Sequence, residues 1–274
     1  MHLKTNMMYF SATDRTKIIV SGLADKIAEL TNGSKPVNTI DFTLPAGREK
    51  PVSFSKEDLV IFGVPVYAGR VPNILLKYLD TLNGNGALAV ALVVFGNRDY
   101  DDALVELQDI LQSHGFTVIA GGAFVGEHAF SKTLAKSRPD EKDIAKLLAF
   151  ATKIYTKLQG ADTFQPVEIK GNRPYGSYYV PKDKNGEPII GFRKIKPKTN
   201  KADCIDCKQC AKVCPMGSID FDDTSIISGI CIKCGACIKK CPMGAKYFDD
   251  PDYIGHKEEL EVTFDRRREP EVLL

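Results

Sequence analysis

The chain has 274 residues, of which 43% are hydrophobic and 26% charged, with eight cysteines, no tryptophan and a formal net charge of +2. This exceeds the ~100 to 200 residues of one ordinary domain, so a large unit plus a small one is expected. The near-neutral balance argues against a nucleic-acid partner, and the longest apolar run, Ala87 to Phe95, falls well short of the ~20 residues of a spanning helix.

Met1 to Phe10 lacks a long apolar stretch, so no leader is expected there. From Thr5 onward, short apolar runs alternate with amphipathic stretches. The runs Thr5–Phe10, Val37–Phe42, Leu59–Val64, Ala87–Phe95 and Phe116–Phe124 read as strands, and Thr16–Leu30, Asn73–Leu82, Asp101–Ser113 and Glu141–Leu158 as helices. Five strands alternating with helices in about 150 residues imply an α/β unit, a five-stranded parallel doubly wound sheet. Ligands bind such sheets outside the carboxyl ends of the strands, so the loops there deserve scrutiny.

Three of these loops carry suitable groups. After the first strand, Ser11, Ala12, Thr13, Asp14, Arg15 and Thr16 lead straight into a helix, where unpaired amides, hydroxyls and an arginine can cradle an anion. After the third come Pro65, Val66, Tyr67, Ala68 and Gly69, and after the fourth Gly96, Asn97, Arg98, Asp99, Tyr100 and Asp102. Backbone polar groups, glycines and an aromatic ring suit a planar heterocycle with polar edges. His114 and His128, near the ends of a helix and the last strand, are expected to be surface or capping residues. No GxGxxG occurs, so a Rossmann-type nicotinamide site is not supported.

Residues 161–199, with GNRPYGSYYVPKDKNGEP, read as an extended connector turning at Asn185-Gly186, and its aromatics suggest that it packs along its neighbours. The basic stretch 193–201 reads as a solvated linker. Arg266-Arg267-Arg268 falls in residues 251–274, read as a solvated C-terminal tail.

All eight cysteines fall in two copies of CxxCxxCxxxCP: Cys204, Cys207, Cys210 and Cys214, then Cys231, Cys234, Cys237 and Cys241. Each position recurs 27 residues later, which marks an internal duplication. A disulfide framework belongs to small secreted chains, whereas residues 1–203 contain no cysteine. Structural zinc takes two cysteines from each of two knuckles, a poorer match than a third cysteine two residues on and a fourth before proline. Thiolates at this spacing are what iron-sulfur clusters require.

These motifs resemble known families. Residues 204–242 resemble the two-[4Fe-4S] bacterial ferredoxins, a small α+β domain placed here at 200–250. Residues 1–160 resemble flavodoxins: Ser11, Thr13 and Thr16 align with the S/T-x-T-G-x-T flavin-phosphate loop, with Asp14 where glycine is usual. The order of modules resembles flavodoxin-ferredoxin fusion proteins of anaerobic bacteria and archaea. The resemblance implies FMN at the three loops, with Tyr67 and Tyr100 beside its ring, and two [4Fe-4S] clusters. A carboxylate at Asp14 needs Arg15 or solvent to screen it from a phosphate.

In the bacterial motif the fourth cysteine serves the other cluster, which pairs Cys204, Cys207 and Cys210 with Cys241, and Cys231, Cys234 and Cys237 with Cys214. The expected role is a cytoplasmic electron-transfer protein working with redox-protein partners. The alternative is an FMN-dependent reductase of a small acceptor such as a quinone, nitro compound or corrinoid.

Overall fold

The computed structural model describes residues 3–31, 37–183 and 185–274; Met1, His2, residues 32–36 and Lys184, the last within the expected connector, lie outside the described residues. The elements run β1 (Lys4–Tyr9), α1 (Arg15–Leu30), β2 (Asn38–Asp41), β3 (Asp58–Pro65), α2 (Asn73–Leu79), β4 (Leu88–Phe95), α3 (Ala103–Ser113), β5 (Thr117–Val125) and α4 (Glu141–Gln159). After the connector come β6 (Lys198–Thr199), α5 (Gln209–Lys212), α6 (Ala236–Lys239), β7 (Lys246–Tyr247), α7 (Pro251–Thr263) and β8 (Glu271–Leu273).

Strands β2-β1-β3-β4-β5 lie parallel in that order. This is the flavodoxin-like order, whose topological switch lies between β1 and β3. Strand β4 is buried along its whole length, because successive residues alternate between two covered faces. Val60, Phe62, Val64 and Val93 face a core shared with α2 and α3, whereas Leu59, Ile61, Leu92 and Val94 face α1 and α4. No helix among the described residues is long and apolar enough to cross a membrane.

The last 24 residues are not a solvated tail. Pro251–Thr263 is helical, capped by the Asp250 carboxylate, and Glu271–Leu273 pairs antiparallel with β5 at Gly121–Ala123. The sheet therefore has six strands, five of them parallel. Nor is the arginine run free: Arg267 pairs with Asp140 at 2.6 Å, and Arg268 with Asp99 at 3.2 Å.

The connector runs along α3. Val167 donates its amide to Val118 O at 2.8 Å, and the buried Gln108 side chain donates to Val167 O at 2.6 Å. Asp102 then accepts from Asn172 N at 2.9 Å and Gly176 N at 2.7 Å, with the Asn172 amide side chain at 3.1 Å. Burial alone would raise the Asp102 pKa, but these bonds outweigh it and hold the carboxylate below its usual range. Further along, Asn185 and Gly186 make a turn closed by Gly186 N to Asp183 O at 3.0 Å.

Because the folded-state pKa of Asp102 is depressed, its contribution is present above the unfolded value of ~3.9 and is lost as pH falls through the folded value. Asp102→Ala removes bonds worth about 2 kcal/mol, raising local opening of the connector more than ~10-fold. Limited proteolysis checks this: the wild type should resist cleavage between Gly171 and Lys201, and the variant should be cut there first.

Candidate functional site

The duplication is visible in the backbone. Positive φ angles recur at 27-residue spacing, at Asp206 and Lys233, Lys208 and Gly235, and Gly217 and Gly244. Lys208 and Gly235 each precede a one-turn helix, α5 and α6. This conformation is uncommon for Asp and Lys, so the loop shape is imposed by what surrounds it.

The loops form two cysteine-lined pockets. One is lined by Cys214, Cys231, Cys234 and Cys237. The other is lined by Cys204, Cys207, Cys210 and Cys241. Each takes three sulfurs from one repeat and the fourth from the other. The donor set, three thiolates from one CxxCxxC run and a fourth from the other repeat, fits an iron-sulfur core better than structural zinc, which takes two cysteines from each of two knuckles.

The two pockets differ in burial. Cys207 is exposed, whereas its repeat partner Cys234 is only 8% exposed. Burial pushes the Cys234 thiol up to about 12 and raises those of Cys231 and Cys237 as well. As free groups they hold their protons; as metal ligands they must lose them, so metal binding here is coupled to proton release.

Cys234 is buried because this repeat sits on the carboxyl edge of the parallel sheet. Cys234 and Ala236 join the apolar cluster that contains Ala12, Val66 and Tyr67. A Cβ at Gly235, where φ is +75°, would stand 2.6 Å from Ala129 O. Polar pairs surround the contact. Arg48 donates to Pro215 O at 2.5 Å, Lys240 Nζ lies 2.8 Å from Asp14 Oδ1, and Lys239 binds Glu127 and also Ser131 O at 2.9 Å.

All three predicted loops lie at this edge, but they are used differently. In the first, Ser11 and Thr16 are buried, the Ser11 hydroxyl accepts from Lys17 N at 2.9 Å, and Asp14 has φ 66°. Among the described residues no acceptor takes the amides of Thr13 to Thr16, and Arg15 Nε is buried without a partner. The Arg15 guanidinium points to Glu127, 3.8 Å away, and it is Lys240 that meets Asp14. Orphaned donors at the start of a long helix fit an anionic group.

In the second loop, Tyr67 and Arg70 exchange backbone bonds around Ala68 and Gly69, both at positive φ. Gly69 is required, because a Cβ there would collide with the Asp101 carboxylate. Pro65 and Val66 are half-buried, and the Val66 amide is tied to Val94 O at 2.9 Å. Burial, with Cys234 adding a smaller effect, raises the Tyr67 hydroxyl pKa well above its ordinary value.

The third loop faces the C-terminal segments. Buried Asn97 donates to Phe264 O at 2.6 Å and Arg266 O at 2.9 Å. Arg98 binds Asp101 and lies over the Tyr179 ring at 4.3 Å. Asp99 accepts from the amides of Tyr100 and Asp101. The Tyr100 ring packs on Phe95 and its hydroxyl donates to Glu271 at 2.7 Å. Of the two tyrosines, Tyr67 is the one directed at the cysteine unit, and Asp102 is committed to the connector.

Sequence reasoning passed over the aromatic wall beside this edge. Phe248, which lines the Cys234 pocket, stacks on Tyr253 at 3.8 Å, and Tyr253 contacts Phe130 and Phe192. His128 meets Phe130 edge-on and covers Gly96. It is half-buried and makes a local capping bond, Nδ1 accepting from Phe130 N at 3.2 Å, and burial, then the Lys239 charge, lowers its pKa to about 3. His114 does cap its helix, with Nδ1 2.8 Å from Ile110 O.

Residues 152–256 match the family described as a 4Fe-4S dicluster domain. The C-terminal part of the chain is thus similar to a 4Fe-4S dicluster domain, and it follows a sheet of flavodoxin-like order. Among solved structures, a flavodoxin from the domain Archaea is 18% identical over 57% of this chain and 99% of its own, with a TM-score of 0.39. Oxidised flavodoxin 2 from Bacillus cereus is 16% identical over 56% and 99%, at 0.40. Rubredoxin oxygen:oxidoreductase from Desulfovibrio gigas is 17% identical over 57% of this chain and 36% of its own, also at 0.40. No curated protein matches the chain.

The depressed His128 pKa has a defined sign. The unfolded state takes up a proton below ~6.5 that the folded state refuses, so stability falls as pH drops below that value. Lys239, His256 and Arg98 act in the same direction. Denaturant midpoints measured between pH 7.5 and 5.5 should fall more steeply for the wild type than for His128→Gln.

Proposed function

We propose that this protein is an electron-transfer flavo-iron-sulfur protein, passing electrons between FMN at the carboxyl edge of its sheet and two [4Fe-4S] clusters in its cysteine pockets. The supporting observation is that Cys234, from the pocket that also contains Cys214, Cys231 and Cys237, belongs to the same apolar cluster as Ala12 and Tyr67 of the first two loops. When bound, the clusters supply single-electron steps and FMN can take up one electron or two.

Ser11 to Thr16 hold the phosphate through amides and hydroxyls, and Pro65 to Gly69 with Gly96 border the ring. Cys214, Cys231, Cys234 and Cys237 ligate the inner cluster, and Cys204, Cys207, Cys210 and Cys241 the outer one. Pro215 and Pro242 stop each segment from continuing as a helix over its last ligand. Tyr67 excludes water between sheet and inner pocket. At the outer pocket, exposed Cys207 lies beside Ile205, 60% exposed, and Met243, 50% exposed. That end is the port for a redox-protein partner.

Anaerobic preparations should contain about eight irons per chain, with matching sulfide, and one FMN. A colourless, flavin-free preparation would end the flavin half of this reading. Cys214→Ser should disturb the spectrum of the inner cluster and leave the outer one near normal; damage confined to the outer cluster would overturn the crossed ligand sets.

A further inference from the structure

Asp14 places a carboxylate in the loop that the proposed function assigns to a phosphate, at the position where flavodoxin loops have glycine. Its screening does not come from Arg15, which is turned to Glu127. It comes from Lys240, 226 residues away in sequence, with Nζ 2.8 Å from Asp14 Oδ1. Lys240 directly precedes Cys241, which lines the outer pocket. Lys239, beside it, binds Glu127 and Ser131 O, so successive lysines at the end of α6 reach the loops after β1 and β5.

Resting on the flavin reading above, we propose that the cluster-binding unit completes the phosphate site in the sheet unit: Lys240 neutralises Asp14, so FMN is held tightly only when the cysteine loop is folded. Without the clusters, the segment that ends at Cys241 is held by its docking contacts alone, so Lys240 meets Asp14 for less of the time and Asp14 is left to repel the incoming phosphate. Linkage is reciprocal, so bound FMN also favours the docked cysteine unit. Cluster loading therefore raises flavin affinity, which favours flavin binding by molecules whose electron path is already in place.

The test uses the full holo-protein, stripped of flavin and titrated anaerobically with FMN and, separately, with phosphate-free riboflavin. Flavin fluorescence quenching gives Kd, and visible absorbance tracks the clusters. Because the pair is partly exposed, Lys240→Met should raise the FMN Kd about three- to tenfold while riboflavin binding and cluster absorbance stay unchanged. Asp14→Gly combined with Lys240→Met should restore FMN affinity. Wild-type protein whose clusters have been removed by a chelator should bind FMN no better than Lys240→Met.

The proposal is overturned if Lys240→Met binds FMN like the wild type, if riboflavin weakens equally, if the double variant does not recover, or if cluster-free protein keeps full FMN affinity. Wild-type protein that binds neither flavin defeats the flavin reading and this proposal together, whereas the other outcomes leave that reading standing.

Discussion

The redox geometry of this molecule depends on one close approach, between Gly235 and the backbone of Ala129. A methyl group does not fit there, and the backbone angle at Gly235 disfavours any side chain. The approach carries Cys234 and Ala236 into an apolar cluster with Ala12 and Tyr67, while Lys239, Lys240 and Arg48 make ion pairs and hydrogen bonds around it. An apolar centre with a polar rim is the usual anatomy of a specific protein contact. Here it brings a metal-ligand loop to the edge where doubly wound sheets hold their ligands.

The same contact explains how a duplication yields two unequal sites. The repeats share their backbone, yet where the second has Gly235-Ala236 the first has Lys208-Gln209. Small residues dock; long polar ones keep Cys207 in water. Lys208 lies against Asp206, 2.8 Å away, and donates to Asp222 O at 2.8 Å, so it is spent on its own repeat and, among the described residues, makes no polar contact with the sheet. Burial and surrounding hydrogen bonds tune cluster potentials, and two neighbouring substitutions give the two sites different burial.

The parts of the fold legible in the sequence are those whose pattern is local. Strands β3 and β4 are continuous apolar runs because both faces are covered, and the cysteine spacing is fixed by the bonds it must make. Helix α7 was not legible, since it buries only Tyr253, His256 and Leu260 and shows little amphipathic pattern. Strand β8 has three residues and depends on β5 for its pairing. At the site, Asp102 and Tyr100 have the composition of ligand-binding residues but serve the connector and the C-terminal strand. The Asp14–Lys240 pair spans 226 residues, and no local pattern announces such a contact.

The Lys240–Asp14 pair beside Gly235 is weak, because partly exposed ion pairs contribute about 0.2 to 1 kcal/mol each. What allows so modest a contact to hold is that the cysteine unit is tethered at both ends. Its entry is fixed by Asp102 gripping Asn172 and Gly176, and its exit by Asn97 gripping Phe264 and Arg266 before β8 joins the sheet. Two short tethers make docking an intramolecular step with a high effective concentration, so little interface energy is needed to favour the docked state. Asn97 and Asp102 lie in one loop, the loop after β4. That loop, which by position on the sheet could have been given wholly to a ligand, instead holds both ends of the unit that carries the clusters.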